Sequence, residues 1–142
     1  MRVGIVISLV SSFYLLGLGF TVALVIYPAF SLVRSDDWPR FHEHHAQKIA
    51  WAVGPAWVAQ ALGLGLWLFG HPGATWIAWL LCAAASLGAV IITLIVAVPI
   101  HQQLSHQWRQ DLDRRLRLSH WFRTLLWAVA CFAGVIALIQ TY

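Results

Sequence analysis

The chain has 142 residues, of which 61% are hydrophobic and only 10% are charged. A soluble domain usually has about a quarter of its residues charged, so this composition excludes an ordinary soluble domain and predicts an integral membrane protein. The formal charge of +4 does not indicate nucleic-acid binding. The basic residues flank apolar segments, where such residues set membrane topology and contact anionic lipid head groups.

Four apolar segments are long enough to cross a bilayer, for which a helix needs roughly 20 residues. The first segment is too long in its apolar part for a cleaved signal peptide, and it ends just before Pro28. A His-Pro-Gly turn at 71–73 separates the second segment from the third, which ends at Pro99. The predicted spans cover about residues 3–27, 49–70, 74–98 and 121–139. We therefore predict an all-α fold, a four-helix bundle of two helical hairpins, with residues 1–142 in a single transmembrane domain.

The basic residues predict the orientation of these helices, because short cytoplasmic loops are enriched in lysine and arginine. Arg2 stands alone on one side of the predicted membrane. The other side holds Arg34, Arg40, Lys48, Arg109, Arg114, Arg115, Arg117 and Arg123. Both polar loops are therefore predicted to be cytoplasmic and both termini outside, as in a multi-pass protein of a bacterial inner membrane.

The two halves of the chain resemble each other. In each half the first span ends at a proline, and the second begins with a histidine, a basic residue three positions later and then a tryptophan. The matching residues are Pro28, His45, Lys48 and Trp51 in the first half, and Pro99, His120, Arg123 and Trp127 in the second. The pattern predicts a parallel internal repeat about an axis along the membrane normal. The alternative is that any two membrane hairpins share proline ends and basic flanks.

Small residues recur at four-residue spacing in three of the spans, which permits close packing of helices in a membrane. The pairs are Ala61/Gly65, Ala84/Gly88 and Ala130/Gly134. We expect them to serve packing rather than function.

Histidines are concentrated on the predicted cytoplasmic side, and four of them lie near the inner ends of the helices. His42 and His45 are three residues apart and so share a helical face, whereas His44 points elsewhere. Bundles build metal and cofactor sites from inward side chains, and imidazole binds iron, copper and zinc. The residues predicted to bind a transition metal or haem are His42, His45, His101, His120 and Glu43. The carboxylate would act as a ligand or would fix a histidine tautomer.

Two other interpretations of these histidines stay open. They could form a hydrogen-bonded cluster that binds an organic ligand or closes the bundle, or they could be scattered interfacial residues. The run at 42–45 lacks the spacing of the zincin motif. Lys48 and Arg123 are either topology anchors or pocket residues that bind an anionic group, such as a carboxylate, phenolate or quinone oxygen.

The middle parts of the four spans contain no acidic or basic residue, which disfavours an ion pump or proton relay. Cys82 and Cys131 lie far from the histidines, and there is no GxSxG motif, so nucleophilic catalysis is poorly supported. Any chemistry is therefore expected near the inner interface, on a lipophilic molecule dissolved in the membrane.

Three short segments carry a resemblance to a known class of proteins. They are Val98-Pro99-Ile100-His101-x-x-Leu104, His120-Trp121-Phe122-Arg123-Thr124 with Trp127 after it, and Tyr27-Pro28-x-Phe30. In these segments the chain resembles small four-helix bacterial membrane proteins that include the anthrone oxygenase-like proteins. That class often has asparagine where His101 and His120 stand here. The resemblance implies a four-helix bundle and an oxygenase acting on an aromatic or lipophilic molecule, and the two histidines favour a metal over a cofactor-free mechanism.

The sequence thus predicts a membrane-embedded, oxidoreductase-like protein with a histidine-rich metal or haem site near the cytoplasmic face. Arg123 and Lys48 are predicted to orient a lipophilic substrate. The alternative is a non-enzymatic protein that binds a small ligand such as a lipid or quinone, or an accessory membrane protein. The expected partners are the lipid bilayer and a lipophilic small molecule. Assembly into a homo-oligomer is compatible with either function.

Overall fold

The computed structural model describes residues 1–141. Within that range the chain forms four long helices, each long and apolar enough to cross a membrane. They are α1 (Arg2–Phe30), α2 (Trp38–Phe69), α3 (Gly73–Leu104) and α4 (Gln110–Ile139). The predicted all-α bundle of two helical hairpins is confirmed.

At one end of the bundle α1 and α3 finish and α2 and α4 begin. We call it the histidine end, because His42, His45, His101 and His120 lie there. Here the helices extend past the predicted spans, since α2 begins at Trp38 and α3 continues through Pro99. The predicted spans are shorter because the count of apolar residues gives only the part of a helix that lies in the hydrocarbon of the bilayer. The helices themselves continue beyond it into polar sequence.

Contacts between the helices are uneven around the bundle. α1 packs along both α2 and α4, and α3 packs along α4. α2 and α3 contact each other far less, and hydrogen bonds join them at several levels. At the histidine end Trp38 and His42 of α2 bond to α3. The other bonds lie in the middle and at the opposite end of the bundle. In one of these bonds, Trp79 Nε1 on α3 donates to the Leu64 carbonyl on α2 at 3.0 Å. The bundle is therefore closed on three sides, and it opens between α2 and α3 along the stretch between its middle and the histidine end.

Gln60 marks the point at which α2 and α3 begin to separate. Its Nε2 donates to Ser86 Oγ on α3 at 2.9 Å, and its Oε1 accepts from Ser12 Oγ on α1 at 3.2 Å. The Gln60 side chain is 3% exposed, and a buried amide is costly unless it is hydrogen-bonded. These bonds therefore fix α1, α2 and α3 against one another in the middle of the bundle.

α1 and α3 each contain a π-helical turn just before an X-Pro pair. The turn of α1 is Val22–Ile26, followed by Tyr27-Pro28, and the turn of α3 is Thr93–Ala97, followed by Val98-Pro99. A proline inside a helix lacks an N–H, and its ring clashes with the carbonyl four residues earlier, so a wider turn relieves the clash. Both hairpins share this feature in the same orientation, which fits the predicted internal repeat.

The π turn of α1 also changes which side chain faces the interior. Leu15, Gly19 and Val22 are buried at α-helical spacing, and the next buried residue is Tyr27, five positions later. An α turn has 3.6 residues, so an uninterrupted helix would instead have turned Ile26 inward. The extra residue thus places the Tyr27 ring inside the bundle, where it is 3% exposed.

Glycines set the closest approaches between helices. A Cβ on Gly134 would lie 2.9 Å from Leu9 Cδ1, as expected for a packing residue. The expectation for Gly65 is wrong, because a Cβ there would meet nothing within 4 Å. The close contact of α2 with α1 falls instead at Gly63, where a Cβ would lie 2.7 Å from the Ser8 backbone nitrogen. Gly63 shares the buried line of α2 with Gln60, and Gly65 does not.

We expect Gly63→Ala to lower the melting temperature of the detergent-purified protein, because backbone atoms of α1 must move to admit the new methyl group. Overpacking of this kind costs about 1–3 kcal/mol. Gly65→Ala is the matched control on the same helix, and its melting temperature should stay equal or rise slightly, since alanine favours helix over glycine. Circular dichroism measures both melting temperatures, and equal values for the two variants would contradict this packing.

Candidate functional site

A pocket of about 1090 Å³ lies among the four helices at the histidine end. Much of its wall is apolar and includes Leu15, Val53, Trp57, Leu94 and Trp127. Ala50 on α2 and Leu94 on α3 line the pocket and are also exposed on the outer surface of the bundle. The pocket therefore opens sideways, through the gap between α2 and α3.

The four histidines predicted to converge all line this pocket. His42 Nε2 and His101 Nδ1 are 3.1 Å apart, so one nitrogen donates a hydrogen bond to the other. The His45 ring is centred 6.0 Å from that of His101. His42 and His45 share the inward face of α2, and His44 is exposed, as predicted from their spacing. The extension of α2 and α3 beyond the predicted spans is what brings these rings together.

Tyr27 lies between the histidines. Its ring is centred 5.0 Å from that of His120, 6.3 Å from that of His101 and 6.5 Å from that of His45. In the sequence Tyr27 stands out only as the end of the first span and as part of the segment Tyr27-Pro28-x-Phe30. The signal for a larger role is its place directly before a proline in a long apolar helix, where a π turn changes the face that a side chain occupies.

His120 uses both of its ring nitrogens. A carbonyl oxygen only accepts hydrogen bonds, so His120 Nε2 donates to the Gly19 carbonyl of α1, at 2.8 Å. His120 Nδ1 then accepts from Arg123 Nη2 at 3.1 Å. The two bonds select a neutral imidazole with its proton on Nε2.

Arg123 connects this histidine to α3. Its Nη1 donates to Thr93 Oγ1 at 3.1 Å, and its Nη2 bonds to His120 as described above. Arg123 Nε is buried and has no hydrogen-bond partner among the described residues. Thr93 could not be recognised as a site residue from the sequence, because a threonine in an apolar helix carries no distinctive signal.

We call the polar part of the pocket, formed by the histidines and Arg123, its floor. The helices that carry it are fixed by side chains that bind carbonyls near the ends of α1 and α3. Arg117 Nη2 donates to the Tyr27 carbonyl at 2.9 Å, while its Nε donates to Asp113 Oδ2 at 2.7 Å. Trp38 Nε1 donates to the Leu104 carbonyl at 2.6 Å. Carbonyls in the last turn of a helix lack partners within the helix, so these bonds fix the two helix ends.

The predicted metal ligands are close together, but they are not arranged around one point. Among residues 1–141, no three His, Cys, Asp or Glu side chains are placed to hold a single metal ion. His120 would have to break a hydrogen bond to bind a metal through either nitrogen. Glu43 lies exposed at the rim of the pocket, where its Oε1 accepts from Gln47 Nε2 at 3.4 Å.

The two predicted substrate-binding residues differ in their positions. Arg123 lines the pocket, whereas Lys48 is exposed and is not part of the pocket wall. Both are three residues after a histidine in the two halves of the chain. Only in the second half does the basic side chain contact that histidine.

No protein-family model, curated protein or solved structure matches the chain. The function is therefore inferred from the geometry of the pocket.

We expect His120→Ala to destabilise the bundle, because it removes the bond between the Gly19 carbonyl of α1 and α4 and leaves Arg123 Nη2 without its acceptor. Leaving buried groups unsatisfied costs about 1–3 kcal/mol each. His44→Ala removes an exposed histidine from the same end and should change stability by no more than about 0.5 kcal/mol. Melting temperatures in detergent provide the comparison, and similar values for both variants would show that the His120 bonds do not hold α1 to α4.

Proposed function

We propose that this protein binds a lipophilic small molecule in the pocket between α2 and α3. The polar head of the ligand lies beside the histidines and Arg123, and its apolar part runs along Val53, Trp57 and Leu94. The observation that carries the proposal is the sideways opening of a pocket whose wall is apolar and whose floor is polar. Small-molecule sites have this character, with a few polar groups fixing the orientation of a mostly apolar ligand.

We also propose an orientation of the bundle in the membrane. Eight of the nine basic residues lie at or near the histidine end, and short loops rich in lysine and arginine remain cytoplasmic. We assign the histidine end to the cytoplasmic face of a bacterial inner membrane. The gap between α2 and α3 then faces the inner leaflet, from which a membrane-dissolved ligand has direct access to the pocket.

The length of the pocket suits an elongated ligand. His42 and Trp57 both line it from α2, and fifteen residues of helix between them correspond to about 22 Å. The pocket therefore runs from the polar helix ends into the apolar middle of the bundle, where a molecule that aligns with lipid chains would lie.

We expect Gly54→Trp to block the pocket, because Gly54 lines it and a Cβ there would meet nothing within 4 Å. Gly65→Trp is the matched control, since Gly65 is on the same helix, is equally unobstructed and lies outside the pocket. Native mass spectrometry of both purified variants measures the lipophilic molecules that remain bound. We expect occupancy about tenfold lower in Gly54→Trp only, which corresponds to roughly 1.4 kcal/mol of lost binding. Equal occupancy in the two variants would place the bound molecules on the outer surface and contradict the proposal.

A second candidate is the metal-dependent redox protein that the sequence predicts. One distance favours it. Two imidazole nitrogens on one tetrahedral zinc ion would be roughly 3.4 Å apart, and His42 Nε2 and His101 Nδ1 are 3.1 Å apart. His45, beside His101, is the nearest source of a third ligand.

Metal analysis of the purified protein, together with its optical spectrum, tests this second candidate. One equivalent of metal or haem that is lost in both His42→Ala and His101→Ala would support it. His106→Ala removes an exposed histidine from the same end and should leave the metal content unchanged. A metal content well below stoichiometric in the wild type, after purification without chelators, would reject it.

A further inference from the structure

We infer that the ligand is an anionic amphiphile whose carboxylate or phosphate head binds Arg123. The inference rests on the proposed function and adds the charge of the ligand, which the shape of the pocket alone does not give.

The first observation is that Arg123 lacks a counter-ion. Its two hydrogen-bond partners, Thr93 Oγ1 and the neutral His120 Nδ1, carry no charge. The ion pairs among residues 1–141 are Arg109 with Asp111 and Arg117 with Asp113, so neither involves Arg123. A guanidinium group removed from water and left without an anion is costly, and an anionic ligand would offset much of that cost.

The second observation is that the guanidinium group retains free donors. Arg123 Nε is buried and has no hydrogen-bond partner among the described residues, although the side chain lines the pocket. Arginine presents its N–H groups in a planar fork that matches the two oxygens of a carboxylate or phosphate. Of the five N–H groups of the guanidinium, one on Nη1 bonds to Thr93 and one on Nη2 bonds to His120. The second N–H of each Nη therefore remains for the oxygens of a ligand head group.

The charges at the rim are consistent with this depth of binding. Glu43, Arg40 and His106 line the outer part of the pocket and are all exposed to water. The charges of Glu43 and Arg40 are screened there and contribute little to affinity. Arg123 is half-buried and four residues before Trp127 of the apolar wall. An anionic head at Arg123 would thus stand where the polar floor meets the apolar wall, with its chain directed along that wall.

The test compares three ligands in the purified, delipidated full-length protein: oleate, dioleoyl phosphatidate and methyl oleate. Methyl oleate has the chain of oleate without its charge, and phosphatidate distinguishes a phospholipid source from a free fatty acid. Isothermal titration should show oleate, phosphatidate or both binding about tenfold or more tightly than methyl oleate, as charge-assisted bonds to arginine predict. Arg123→Gln should abolish this preference, because oleate and phosphatidate lose their cationic partner.

Arg115→Gln is the control, because it removes an equal charge from an exposed position on the same helix, and it should retain the preference. If Arg123→Gln does not fold, Arg123→Met decides, because it removes the charge and keeps a long side chain. A preference reduced by about threefold or more supports the inference, and an unchanged preference overturns it. Equal binding of all three ligands by the wild type also overturns it and leaves the proposed pocket standing. If none of the three ligands binds, the proposed function is overturned as well.

Discussion

The hydrogen bond from His120 to the Gly19 carbonyl is the interaction on which the rest of the site depends. It joins α4 to α1 at the level of the pocket, and the other nitrogen of the same ring positions Arg123, which reaches Thr93 on α3. The approach is close because position 19 is a glycine, where a Cβ would lie 2.9 Å from Thr124 Oγ1. One imidazole thus holds three helices in register and leaves α2 as the only helix of the bundle not bound to this network.

The separation of α2 from α3 follows from where polar groups are placed along the helices. In the middle of the bundle Gln60 bonds to both α1 and α3, so the helices are held together there. The two helices are joined again at the histidine end itself, by Trp38 and His42 of α2. Between these two levels, facing side chains such as Ala50 and Leu94 are small or aliphatic and offer no such bond. Lipid chains are as apolar as these side chains, so no hydrophobic force closes the gap in a membrane. The gap between α2 and α3 therefore follows from the lack of hydrogen-bonding side chains along that stretch of the two helices.

Much of the fold could be predicted from the sequence, because composition and the length of apolar segments constrain a membrane helix strongly. The convergence of His42, His45, His101 and His120 also followed from their positions near helix ends of similar depth. The contacts within the cluster could not be predicted. Tyr27 enters the site only because a π turn rotates it inward, and the two bonds of His120 depend on a close helix approach at Gly19. Both features arise from tertiary packing, which residue type and spacing do not specify.

The two hairpins differ in that one half of the chain provides the fixed wall of the pocket and the other half provides its open side. Lys48 and Arg123 hold equivalent positions three residues after a histidine. In the second half the helix carrying the pair packs against both α1 and α3, so Arg123 is drawn inward. In the first half α2 packs mainly against α1, and Lys48 remains on the exposed surface. Equivalent sequence patterns have thus reached different environments, and the asymmetry between the two hairpins provides both a fixed cationic wall and an accessible side for a ligand.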